Sequence, residues 1–134
     1  MSTDVPTKTS FFDVADLPGH TIVDLVGDGP DGAPLIDLFG RDLVTRTILL
    51  SDDLSVFHET AKPGERVKPH RHGTLQIDFV LRGELRFGNR SLTAGMGAVI
   101  PDALYSWQAG DDGAEWIEIH AGAPAIHTDR RADR

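Results

Sequence analysis

Gly64-Glu65-Arg66-Val67-Lys68-Pro69-His70-Arg71-His72-Gly73-Thr74-Leu75-Gln76-Ile77-Asp78-Phe79-Val80-Leu81-Arg82-Gly83 is the stretch that decides the fold. His70 and His72 stand two apart. On an extended chain such residues share a face, with Cα atoms roughly 6.6 Å apart at about 3.3 Å of rise per residue. Two imidazoles at that spacing can converge on one cation, with metal–nitrogen bonds of about 2.0–2.1 Å for zinc. Gln76 follows four residues later and offers an amide oxygen. Asp78 has the same parity as Gln76 and is expected to face the same way. Pro63-Gly64 reads as a turn, and Gly83 is expected to break the run after Val80-Leu81.

Outward from this stretch the chain is a series of short strand patterns. Leu54 to Thr60 alternates, with Leu54, Val56, His58 and Thr60 on one face and Ser55, Phe57 and Glu59 on the other. Glu84 to Phe87 and Ser91-Leu92 flank Gly88-Asn89, a two-residue turn suited to a hairpin. Ala98 to Ile100, Leu104 to Gln108 and Glu115 to His120 complete the set, the last two divided by Gly110-Asp-Asp-Gly113. On the N-terminal side Thr21 to Val26, Leu35 to Phe39 and Leu43 to Leu50 read as strands, and Gly27 to Pro34 as irregular. Phe11 and Phe12 are expected to be anchors, and Arg130-Arg131 belongs to a tail expected to fray. No segment carries a useful helical period, so the class is all-β, a sandwich or barrel.

The length of 134 residues suits one domain with a real core. A net charge of −8, with the acids scattered, argues against nucleic acid as a partner. There is no cysteine, so thiolate metal sites and disulfides are excluded. No apolar run reaches the roughly 18–20 residues that span a bilayer, and Met-Ser-Thr-Asp-Val-Pro lacks the features of a signal peptide. The expectation is a cytoplasmic protein without a membrane partner. Phosphate loops, dinucleotide fingerprints and nucleophile elbows are absent from the sequence.

The histidine segment resembles the first motif of the cupin family: glycine, five residues, histidine, any residue, histidine, three or four residues, glutamate, six residues, glycine. Gly64, His70, His72 and Gly83 keep those spacings, with Gln76 where glutamate is usual, as in some cupins. The resemblance implies a double-stranded β-helix, the cupin jelly-roll barrel, over residues 50–122. Residues 1–49 would add strands and loops over the barrel or a dimer edge, and 123–134 a tail. It also implies one divalent metal ion (Fe, Mn, Ni or Zn) on His70, His72 and Gln76. A second cupin motif is incomplete. Gly95 and Pro101 keep their spacing, Ala103 replaces a glycine, and the histidine is missing. Strict counting puts Ser106 in its place; a loop one residue shorter puts Tyr105 there, and this alignment is preferred.

The resulting expectation is a metal-dependent enzyme on a small oxygen-containing substrate. Tyr105 or Asp78 would move a proton. Trp107, Ser106, His120 and His58 would line the pocket, and His120 could replace the missing ligand. Family frequency tilts the reaction toward a dioxygenase; an isomerase, cyclase or lyase, or a binding module without turnover, stays open. Each residue also has a plainer role: Asp78 could be salt-bridged to Arg66 or Arg86, His58 and His120 could be rim histidines, and the aromatics could be packing alone. A homodimer is expected, since an open sheet edge is a liability.

Overall fold

The structure is a computed structural model, and it describes residues 5–130. Its strands are β1 (Val44–Leu49), β2 (Ser55–Ala61), β3 (Arg66–His70), β4 (Gln76–Phe87), β5 (Arg90–Thr93), β6 (Gly97–Ile100) and β7 (Tyr105–His120). All pair antiparallel in one sheet of order β1-β2-β7-β4-β5, with β3 joined to β7 and β6 to β4. Strands β4 and β7 are long, and each half of each has different neighbours. The C-terminal half of β7 lies between β2 and the start of β4, while its N-terminal half lies between β3 and the end of β4. The sheet thus wraps into two layers, as expected of a double-stranded β-helix.

Two expected breaks are instead bends within strands. Gly83 sits inside β4 and Gly113 inside β7, at φ of 75° and 76°. The pairing of β4 with β7 slips in register on either side of Gly83. Glycine alone enters this backbone region freely, so the strands turn without ending. The Gly88-Asn89 hairpin forms as expected, with Phe87 opposite Arg90.

The N-terminal region departs from the strand reading. Ile22–Val26 is a short helix, α1, and Ala33–Phe39 is a second, α2. Thr21 and Asp24 form a reciprocal capping box at the start of α1. Pro34 lies in the first turn of α2, where its missing N–H is harmless. Leu35, Leu38 and Phe39 then follow helical spacing and pack on the core. Local capping thus outweighs the β-branched character that suggests strands here. Phe11 is 93 % exposed and Phe12 57 %, so neither is an anchor in this chain.

The segment of residues 125–129 is tied to the histidine loop. Arg71 and His127 exchange backbone hydrogen bonds, and the Ala125 N–H donates to the His72 carbonyl. The Arg71 guanidinium reaches the carboxylates of Asp102 and Asp129, each at 3.1 Å. Residues 131–134, including Arg131, lie outside the described residues.

Along β4, Gln76, Asp78 and Val80 are buried, while Ile77, Phe79 and Leu81 face outward. Along β7, Trp107, Ala109, Trp116, Glu118 and His120 are buried. The barrel is therefore packed with apolar side chains at one end and polar ones at the other. The apolar end centres on Trp116, Leu85, Val67 and Val80. Among the described residues no helix is long and apolar enough to cross a membrane.

Candidate functional site

The polar end collects side chains from four strands and one loop. His70 closes β3, and His72 follows it in the loop before β4 rather than on the same strand. Each ring is fixed through one nitrogen. His70 Nδ1–H donates to the Lys68 carbonyl at 2.8 Å, and His72 Nδ1–H donates to the Ala125 carbonyl at 2.7 Å. A carbonyl only accepts, so Nδ1 carries the proton and Nε2 keeps its lone pair. The ring centroids are 4.8 Å apart. This backing by carbonyls is the arrangement that orients metal-binding histidines.

Tyr105 stands over the pair. Its hydroxyl lies 3.2 Å from His72 Nε2 and accepts from Gln76 Nε2 at 3.0 Å. The Gln76 amide also donates to Asp78 Oδ1 at 2.8 Å. Asp78 is fully buried, and its Oδ2 has no hydrogen-bond partner. It meets neither Arg66 nor Arg86; the latter pairs with Glu84. Asp78 lies behind Gln76 and off the cavity wall, so it reaches a ligand only through Gln76 and Tyr105.

Strand β7 adds two donors. His120 Nε2 lies 2.9 Å from Glu118 Oε2, and His120 Nδ1 faces the Thr74 hydroxyl at 2.9 Å. One donor atom each from His72, Glu118 and His120 lies within 4.8 Å of the other two. Two imidazoles and one carboxylate suit a divalent transition metal. Together with the carbonyl-fixed ring of His72, this set fits the ion that the fold implies. Sequence reasoning missed Glu118 as a donor. Its signal was the alternation Trp116, Glu118, His120, which places the three on one face.

Burial sets the protonation states. It lowers the His70 pKa to about 4 and lowers that of His72, which keeps both rings neutral. It raises the carboxyl of Asp78 well above the ordinary range, as does the nearby Glu118 charge. Glu59, also buried, shifts the same way for the same two reasons, although the Thr45 hydroxyl donates to its Oε2 at 2.7 Å. Burial also raises Glu118, but the hydrogen bond and charge of His120 outweigh it and leave this carboxyl below the usual range. Burial and the surrounding carboxylates push the Tyr105 hydroxyl well up, so it stays protonated.

A cavity of about 260 Å³ opens onto this cluster. His70, His72, Tyr105, Glu118 and Glu59 line it, with Trp107, Trp116 and Phe57 as its aromatic wall. Three expected pocket residues are off its wall, and of these His120 is fully buried between Glu118 and Thr74. Ser106 lines a separate groove with Arg66, Lys68 and Arg86, because its neighbour Tyr105 takes the inward position. His58 lies opposite Phe57 and Glu59 in the strand alternation and meets Glu115 at 3.5 Å.

The chain has the fold of the cupins. Across 94 % of its length it superposes on 89 % of the polyketide cyclase RemF from Streptomyces resistomycificus, with a TM-score of 0.69 at 11 % identity. KdgF from Halomonas sp. matches 92 % of this chain over 96 % of its own, with a TM-score of 0.63 at 17 % identity. An RmlC-like cupin from Shewanella frigidimarina matches 60 % of this chain over 77 % of its own, with a TM-score of 0.54 at 20 % identity. No protein-family model and no curated protein sequence matches the chain.

Proposed function

We propose that this chain is a metal-dependent cupin enzyme acting on a small oxygen-containing organic molecule. The carrying observation is the convergence of His72, Glu118 and His120, the first two of which line the cavity. These three would hold a divalent ion, with His70 and Gln76 beside them. A bound ion there supplies a Lewis acid for a substrate oxygen. The chain's own residues do the rest. The neutral Tyr105 phenol is the proton donor facing the cavity, and Gln76 orients it by donating to its oxygen. Asp78 fixes the Gln76 amide and so acts as a positioning residue. Isomerisation, cyclisation or elimination fits this machinery.

A dioxygenase is the second reading, favoured by the two-histidine, one-carboxylate donor set, which is common in oxygen-activating iron sites. Oxygen uptake by iron-loaded protein separates the two readings.

The test of the ion itself is metal content after purification and reloading. Wild type is expected to hold about one equivalent, and His72→Ala to lose it. His120→Ala and His70→Ala then discriminate between donor sets: loss in the former alone supports the group with Glu118, loss in the latter alone the set with Gln76. Wild-type protein that takes up no metal would sink the proposal.

We also infer a homodimer. Ile77, Phe79, Leu81 and Val99 are each more than two-fifths exposed on the outer face of β4 and β6. A contiguous apolar sheet face of this kind suits burial against a second copy. Light scattering of wild type and of Phe79→Asp checks this; a monomeric wild type removes it.

A further inference from the structure

We propose that the cavity selects neutral, flat, largely apolar molecules that carry a hydroxyl or carbonyl oxygen, and rejects anions of the same shape. This rests on the reading that the cavity is the functional site. Its walls supply the first half of the argument. Trp107, Trp116 and Phe57 form one side, and Ile22 and Leu25 of α1 stand with Pro124 and Ile126 at its margin. Planar side chains favour a planar guest through stacked or edge contacts. The volume of about 260 Å³ admits roughly one or two fused rings.

Charge supplies the second half. The polar and titratable side chains that line the cavity are those of Thr45, Glu59, His70, His72, Tyr105 and Glu118. Among the described residues no lysine or arginine lines it. The nearest motif arginine, Arg71, is engaged with Asp102 and Asp129. An anion entering here would lose its hydration without gaining a cation, which is strongly unfavourable. A neutral hydroxyl, by contrast, can donate to an Nε2 lone pair or to Glu118. A carbonyl can accept from Tyr105.

The chain has two tryptophans, and both are in the cavity wall, with ring centroids 5.0 Å apart. Their fluorescence therefore reports occupancy. The experiment titrates chelator-treated protein with 2-naphthol and with 2-naphthoate at neutral pH, by calorimetry and by tryptophan quenching. Stripping the metal leaves the walls alone to decide. Naphthol is expected to bind and quench saturably, and naphthoate to bind at least about tenfold more weakly, a difference of roughly 1.4 kcal/mol. Leu25→Lys, at a position 62 % exposed on the cavity margin, is expected to narrow that gap while the fold stays intact. Naphthoate binding as tightly as naphthol, or quenching by neither, overturns the proposal. Metal uptake is measured on the same preparation. Failure there with naphthol selectivity intact counts against the enzyme reading and leaves this one standing.

Discussion

His120 Nε2 and Glu118 Oε2 lie 2.9 Å apart inside the barrel, and the far nitrogen of the same ring meets the Thr74 hydroxyl at 2.9 Å. The imidazole is thus clamped from both ends. As placed, Nε2–H donates to the carboxylate, so taking up an ion at that nitrogen requires the proton to move to Nδ1. Thr74 is well placed to accept it, since a hydroxyl can donate or accept. Thr74→Val removes that acceptor. The expected result is a loss of roughly 10–100-fold in metal affinity, the usual effect of removing a group behind a ligand. Competition against a chelator of known affinity measures it, and unchanged affinity would show that His120 takes no part.

Tyr105→Phe separates binding from chemistry. The phenol is tied to His72 and Gln76, so its loss leaves a buried Gln76 amide with Asp78 as its remaining partner. A stability loss of about 1–1.5 kcal/mol is expected in urea unfolding. Metal content should not change, because the phenol is outside the donor group of His72, Glu118 and His120. Turnover should fall roughly 10²–10⁴-fold if Tyr105 is the proton donor. A variant with full turnover would reduce Tyr105 to a packing residue.

The histidine motif made the barrel and half of the site legible, because the spacing of Gly64, His70, His72 and Gly83 is local in sequence. Gly88-Asn89 was legible for the same reason. What the sequence hid was contact made across the fold. His120 was expected as a substitute ligand, but Glu118 reaches His72 only because β7 and the histidine loop are neighbours in space. The role of Ala125 as an anchor for His72 depends on a tail that looks featureless in one dimension. Glu59 appeared as one member of an alternating strand, and nothing local showed that its face is the inner one. The two N-terminal helices were missed because their signal lies in caps and in the 35, 38, 39 spacing, within segments too short for a full period.

Glu59 makes stability depend on pH in a stated direction. Burial and the Glu118 charge hold its carboxyl well above the ordinary value near 4.3, so the folded state keeps a proton that the unfolded state has released. Between those two values the folded chain binds more protons, and stability therefore falls as pH rises. Asp78 shifts the same way and adds to the slope. Glu59→Gln keeps an oxygen for the Thr45 hydroxyl but cannot ionise. The variant is expected to melt a few degrees higher than wild type near neutral pH, with the gap shrinking as pH is lowered toward about 4. Thermal melts across that range test this; a gap that widens on acidification would reverse the sign and refute the assignment.

Gly83 and Gly88 share a backbone conformation, at φ of 75° and 61°, but not surroundings. A Cβ on Gly88 meets nothing within 4 Å, since the hairpin tip is open. A Cβ on Gly83 would lie 2.1 Å from the Gly113 carbonyl oxygen, which is backbone of the facing strand and cannot swing away. Both alanine variants carry the strain of a left-handed residue, about 1–2 kcal/mol. Only Gly83→Ala must also push β4 from β7 at the bend where the barrel turns. Gly88→Ala is therefore expected to cost about 1 kcal/mol and leave metal content unchanged. Gly83→Ala should cost at least about 3 kcal/mol, and metal content should fall as β7, which carries Glu118 and His120, is displaced. Urea unfolding and metal content of the two variants, read side by side, check this. Equal costs would mean that β4 and β7 are not in close contact at Gly83, and that the sheet does not bend there.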